Sequence, residues 1–242
     1  MDEKFEALGE AMPRLLNGIW ITLELTALGA ILAFAIAVVL GLMSSHRSKL
    51  VRIPARVVVE FFRGTSLVVQ LFFLFFVLPQ LGVDLHPLVC GVLGLGLNYG
   101  AYGAEVVRGS LNSVPAGQWE ATTALSLGKV KRMRRIIFPQ AWALMIPSLN
   151  NLLIHLMKGT AIVSFITIAD FTFQLDQLKR VTDTFFAYAL VGLITYFLIA
   201  LVLTLLMNAL ERHAKHKLGQ GKSLRSILSP APTPTTQSGV AA

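Results

Sequence analysis

The chain has 242 residues, 55% of them hydrophobic and only 14% charged, with a mean hydropathy of +0.67. Soluble domains carry about a quarter charged residues, so composition excludes an ordinary soluble protein. The net charge of +8 comes without any nucleic-acid-binding motif. Lys and Arg gathered in loops between apolar stretches account for it, so nucleic acid is not an expected partner.

Several apolar stretches approach or exceed the roughly 20 residues that cross a bilayer as a helix. They are continuous rather than alternating, which excludes a transmembrane barrel. The expected fold is all-α, a polytopic helical membrane protein whose partner is the lipid bilayer. The lone Cys90 supports neither an internal disulfide nor a metal cluster and reads as a small packing residue. The acidic start and the long first apolar stretch argue against a cleavable signal peptide.

In chain order, residues 1–17 form a short, net negative segment with Asp2, Glu3, Glu6 and Glu10. A first span covers 18–43. A basic loop follows, with Arg47, Lys49, Arg52 and Arg56 and no acid. The second span covers 57–78, a short loop carries Asp84, and the third span covers 87–107. A long polar segment runs over 108–140, with Lys129, Lys131, Arg132, Arg134 and Arg135. The fourth span, 141–168, is interrupted by Pro147. Residues 170–183 are mixed and slightly acidic, and a fifth span covers 184–210. Residues 211–242 open basic and end in a Pro-, Ser- and Thr-rich tail that reads as disordered. The chain thus divides into an outer segment (1–17), a membrane domain (18–210) and a cytoplasmic tail. The loops after spans one and three and the tail are basic, while the N-terminus and the other loops are not. The positive-inside rule then puts the N-terminus outside and the C-terminus in the cytoplasm.

The cytoplasmic segment 108–140 is the most patterned part of the chain. Ala116 to Ser126 holds good helix formers at Glu120, Ala121, Ala124 and Leu125. Gly128 is the expected stop. A second helical piece over 129–138 pairs Lys131 with Arg135 and Met133 with Ile137 at i,i+4. Two short helices with a break make a protruding knob. Spacing alone leaves two readings open, a docking element for a partner protein or a basic hairpin resting on anionic headgroups.

Glu120-Ala121-Thr122, then Ser126, nine residues, Ile136 and Pro139 resemble the EAA loop of permease subunits of bacterial ABC importers. Thr122, Ser126 and Phe138 stand where that pattern has Ala, Gly and Leu. The resemblance covers most of the chain and is to the polar amino-acid permeases. Asn17-Gly18, Thr22-Leu23 and Leu25-Thr26 carry it at the entry. Arg63-Gly64-Thr65-Ser66-Leu67 through Gln70-Leu71-Phe72 carry it in span two, with Ser66 for Pro. It continues through Leu97-Asn98-Tyr99-Gly100-Ala101-Tyr102, Val114-Pro115, Gly117-Gln118 and Pro139-Gln140-Ala141. Lys158-Gly159-Thr160-Ala161-Ile162 replaces that branch's Lys-Asp-Thr-Ser-Leu. The stretches GQWEA, LNYGAYGAEVVRG and LMKGTAIVSFIT are similar to ectoine and hydroxyectoine importer permeases.

The resemblance implies a type I importer permease in the bacterial inner membrane, with five transmembrane helices. Its implied partners are cytoplasmic ABC ATPase subunits, a second permease, identical or paralogous, and an extracytoplasmic solute-binding protein. Gln118, Glu120, Ala121, Ser126, Gly128, Ile136 and Pro139 would form the ATPase-coupling element. ATP and Mg would bind the partner ATPase. Gly221-Lys222-Ser223 lacks the rest of a phosphate-binding loop, so this chain is expected to hold no cofactor or metal and to be no enzyme.

Candidate pathway residues are Glu24, Gln70, Asn98, Asn150, Asn151, His155 and Lys158. Glu24 lies inside span one, where a carboxylate must face protein or water; Thr22 or Thr26 could satisfy it instead. Asn151, His155 and Lys158 share one helical face that should look into the bundle, either to contact solute or to bond neighbouring helices. Glycines 91, 94, 96, 100 and 103 read as helix-packing positions. Glu60 with Arg63 and Glu105 with Arg108, each three apart, read as pairs near the cytoplasmic ends of their spans. An ion-driven carrier is the alternative, but it should show intramembrane ionisable pairs and inverted repeats.

Overall fold

The structure, a computed structural model, describes residues 2–217. The Pro-rich tail and Gly221-Lys222-Ser223 lie outside those residues. All regular structure among the described residues is helical.

Helix α1 runs unbroken from Asp2 to Ser44, so the N-terminal 17 residues are not a separate segment. The reason is legible locally. Leu8, Ala11, Leu15 and Ile19 recur at helical spacing and pack with Phe171, Leu175, Leu178 and Ala187. The ion pair between Lys4 and Asp183 ties the same end down.

The second span is not continuous. Helix α2 (Lys49–Gly64) ends at a break, and the helical run from Leu67 to Leu81 leaves it at 99°. That run is α3 (Leu67–Phe72), a π turn (Phe73–Val77) and a 3₁₀ turn (Leu78–Leu81). Thr65 and Ser66 are extended, which ends the helical hydrogen bonding. Helix α4 covers Pro87–Asn112.

Helix α5 (Ala116–Ala124) is followed by α6 (Lys129–Arg132). Contrary to the expectation of a separate second knob helix, α6 passes through a π turn at Met133–Ile137 into α7 (Phe138–Gly159). Pro139 sits in the first turn of α7, where its missing N–H costs nothing. A 3₁₀ turn (Thr160–Ile166) ends this run. Residues expected as a mixed loop form α8 (Phe171–Val181), an amphipathic helix capped by Asp170. A π-helical stretch (Phe185–Gly192) leads into α9 (Leu193–Lys217).

Three single helical runs among the described residues are long and apolar enough to cross a bilayer: Glu3–Ser44, Lys129–Ile166 and Phe185–Arg212. The bent pair α2–α3 makes a fourth if counted as one span. Helix α4 is long enough, at ~39 Å, but glycines and polar residues dilute it. Half of its residues are buried by neighbouring helices, α1 above all. There the glycines act as foreseen: Gly96 faces Leu32, Gly100 faces Ile36 and Gly103 faces Ala37. Each sits so close that an added Cβ would lie under 3.0 Å from its neighbour.

Three apolar layers stack along the bundle. One layer holds Ala37, Val107, Ile137 and Met145, the middle one Leu25, Leu71, Leu95, Cys90 and Leu156, and the third joins α1 to α8.

Candidate functional site

The knob is built on a short helix that stops in a defined way. Ser126 takes φ 52°, the left-handed conformation that Gly usually supplies. Leu127 N–H donates to Thr122 O at 3.1 Å and Ser126 N–H to Thr123 O at 2.9 Å. This is the paired bonding of a Schellman stop. The break therefore falls at Ser126 and not at Gly128, which instead precedes α6 with an ordinary φ of −58°.

Arg132 locks the two arms together. Its guanidinium donates to Thr123 Oγ1 at 2.9 Å and lies 5.9 Å from the Trp119 ring centroid. Gln140 Nε2 donates to Ile136 O at 3.1 Å and to Gln118 Oε1 at 3.3 Å. Thr122 is buried under the knob; Gln118, Glu120, Ala121, Ser126 and Gly128 are exposed. Ile136 and Pro139 are half-buried at its root. Beside Glu120 opens a shallow groove of ≈ 400 Å³, lined by Arg47, Trp119, Thr123, Ala124 and Arg132. Leu125 and Val130, 70% and 79% exposed, stand at its tip. Arg47 brings the basic loop after α1 to the same end of the bundle as the knob.

The α2–α3 break is equally organised. The last carbonyls of α2 have no helical donors, and side chains supply them. Thr65 Oγ1 donates to Phe61 O at 2.9 Å, and Tyr102 OH donates to Arg63 O at 3.3 Å. Phe62 O receives both Gln70 Nε2, at 2.9 Å, and Asn98 Nδ2, at 3.1 Å. Gln70 Nε2 also reaches Thr65 Oγ1 at 2.7 Å. Gln70 and Asn98, singled out as pathway residues, thus hold the unwound backbone. Gln70 Oε1 and Arg63 Nε are left buried without a partner at this break.

The polar stripe of α7 does not look into the chain's own core. Asn151, His155 and Lys158 are all exposed on its outer surface, whereas Asn150 is buried with Oδ1 unpartnered. Glu24 is half-buried with no hydrogen bond among the described residues. Thr26 Oγ1 donates to Thr22 O, and Thr22 Oγ1 accepts from Phe171 N, so neither threonine satisfies it.

Residues 33–216 match the family "binding-protein-dependent transport system inner membrane component". The chain belongs to this family.

As a permease of that family it has many relatives. It is 42% identical over 206 residues to the "Probable amino-acid ABC transporter permease protein y4tF" of Sinorhizobium fredii, covering 81% of this chain and 84% of that one. It is 34% identical over 201 residues to the L-cystine transport system permease protein TcyB of Bacillus subtilis, covering 83% and 86%. Among solved structures, one described as an amino acid ABC transporter with histidines superposes with a TM-score of 0.78 at 32% identity, covering 86% of this chain and 98% of that one. The inward-facing MetNI methionine transporter shares the fold, with a TM-score of 0.64 at 20% identity over 85% and 96%. The protein is a permease subunit of an ABC importer, with the type I importer permease fold.

Sequence reading missed several parts of this permease. Trp119, Arg132 and Arg47 line the groove, yet only their proximity in space reveals it. Tyr102 and Thr65 cap the broken helix; the Gly64-Thr65-Ser66 triplet was the available hint. At the opposite end, Lys4 beside Asp183, and Lys179 with Arg180 beside Asp176, hold those carboxyls below the usual range. The paired charges Glu60–Arg63 and Glu105–Arg108 both form, at 3.0 Å and 2.6 Å, each within its own helix.

Proposed function

We propose that this permease moves a polar amino acid or an amino-acid-like compatible solute inward, with ectoine or hydroxyectoine as the specific reading. The names of its relatives support the amino-acid class, and the three sequence stretches noted above support the ectoine branch. Two permeases, identical or paralogous, would flank one pathway, and the exposed stripe of Asn151, His155 and Lys158 would line the face each turns toward the other. Glu24, Asn150, Gln70 and Asn98 are the remaining pathway candidates. An extracytoplasmic solute-binding protein would deliver the solute. The knob end would be cytoplasmic, since Arg47 and the basic residues of α6 cluster there. This chain would hold no cofactor or metal; ATP and Mg would bind ATPase subunits docked on the knob.

The observation that carries this reading is the rigid knob itself. Its arms are locked by Arg132, its tip and groove are open beside Glu120, and its second arm continues into span α7. A push on the groove is therefore passed to a membrane helix without an intervening loop. Isotope uptake into proteoliposomes holding this permease, its ATPase and its binding protein tests the reading. Ectoine uptake that requires ATP inside is expected, with polar amino acids competing. Uptake by the permease alone, driven by an ion gradient, would replace the importer with a secondary carrier.

A further inference from the structure

Asp170 lies where α1, α8, α9 and the 3₁₀ turn after α7 meet. Its side chain has no exposed surface. Oδ1 accepts from Phe173 N at 3.0 Å and so caps α8. Oδ2 is buried with no well-aligned hydrogen bond among the described residues. The Thr172 N–H and hydroxyl are the polar groups near the carboxyl that favour its charged form, too weakly to offset its burial. From α1, Thr22 Oγ1 accepts from Phe171 N at 3.1 Å. Gly18 leaves so little room that a Cβ there would stand 3.0 Å from Asp170 O. From α9, the Tyr196 hydroxyl lies 2.7 Å from Thr172 Oγ1, and Thr160 of the 3₁₀ turn reaches the same hydroxyl. Tyr196 is the titratable group that these neighbouring elements contribute. Among the described residues, no Lys, Arg or His acts on Asp170.

A carboxylate buried without a cation is costly, and it escapes the cost by binding a proton. We propose that Asp170 is a proton-operated latch on the outer face of the permease: protonated, it seats α8 between α1 and α9, and ionised, it loosens that seat. The outer placement rests on the orientation proposed above. The occupant of the site is a proton taken from the extracytoplasmic solution. Helix α8 packs on the N-terminal turns of α1, at the end of the bundle away from the knob, so the latch makes that end responsive to external acidity.

Burial pushes the Asp170 carboxyl from 3.8 up to about 6. The sign follows from linkage: a group whose value is raised in the folded state stabilises it fully below the ordinary value, and this is lost as pH rises through the raised one. Seating is thus firmest below 3.8 and weakens as pH passes about 6. The gap of roughly two pH units corresponds to about 100-fold in the equilibrium between seated and unseated α8.

Hydrogen–deuterium exchange on the full chain in liposomes tests this. Between pH 5 and pH 8, after correction for intrinsic exchange, amides of Phe171–Val181 should lose protection by up to about tenfold, the part of the full effect that falls in this window. Asp170→Asn keeps an N-cap oxygen but has no proton to lose, so its protection should not change with pH. Should that variant fail to fold, Asp170→Ser serves the same purpose. Infrared spectroscopy of the wild type should show a protonated carboxyl band at pH 5 that fades by pH 8 and is missing in the variant. An equal pH response in wild type and variant, or no such band, overturns the latch. Sealed, oriented liposomes separate it from the orientation: a response only to pH on the knob side overturns the outer placement.

Discussion

The α1–α4 seam supports a prediction that can be worked out atom by atom. A Cβ on Gly100 would stand 2.8 Å from both Cβ and Cγ2 of Ile36 and 3.2 Å from Ala33 O. Ordinary carbon contacts lie near 3.5–4.0 Å. The Cγ2 contact can be relieved by truncating Ile36, but the Cβ contact cannot, because both atoms are fixed by their backbones. The helices must separate by about 1 Å, and overpacking of this kind costs about 1–3 kcal/mol. Gly109 lies on the same helix with nothing within 4 Å. There Ala should instead gain up to about 1 kcal/mol from helix propensity. In thermal unfolding of the detergent-solubilised permease, Gly100→Ala should lower Tm by about 2–10 °C and Gly109→Ala should raise it by about 2–4 °C. Adding Ile36→Ala to Gly100→Ala should recover only part of the loss. If Gly100→Ala and Gly109→Ala shift Tm alike, the close packing of α1 on α4 is wrong.

Three further outcomes follow from the knob and the break. Glu120→Lys should leave the protein in the membrane and its partner ATPase active, while uptake falls about tenfold or more; paired uptake and phosphate-release assays measure both. At Ser126, Gly should be tolerated within about 1 kcal/mol, since relief of left-handed strain offsets added chain entropy. Val at the same position should cost about 1–2 kcal/mol, read as faster hydrogen exchange in α5. Gln70→Ala and Asn98→Ala each leave Phe62 O one donor, but together they leave none. The double variant should therefore lose about 1 kcal/mol more than the sum of the singles, the mark of a shared partner, and additive melting shifts would refute the shared bond.

Much of this was readable in the sequence because it is written in local patterns. The apolar runs, the glycine spacing of α4 and the placement of Lys and Arg each depend on residues near one another in the chain. The amphipathic helix over 8–19 was equally local but was hidden by the acidic residues around it. The break in the second span was harder. Residues 57–78 are apolar enough to read as one helix, and what permits the bend is donors arriving from Gln70, Asn98 and Tyr102, two of them on another helix. The stop at Ser126 defied residue preference, since a left-handed Ser was less expected than a nearby Gly. Asp170 offered no pattern of its own: its burial comes from α1 and α9, both distant in sequence, closing over the start of α8, and only the fold brings them together.

The central claim is that the knob is the handle by which an ATPase moves this permease. The most direct test places a photo-activated cross-linker at residue 125, the exposed tip, in the assembled importer on a Cys90→Ser background. The account predicts an adduct between the permease and its ATPase, abolished when the ATPase is omitted. An importer that is active and yet yields adducts only with lipid, or none, would contradict it.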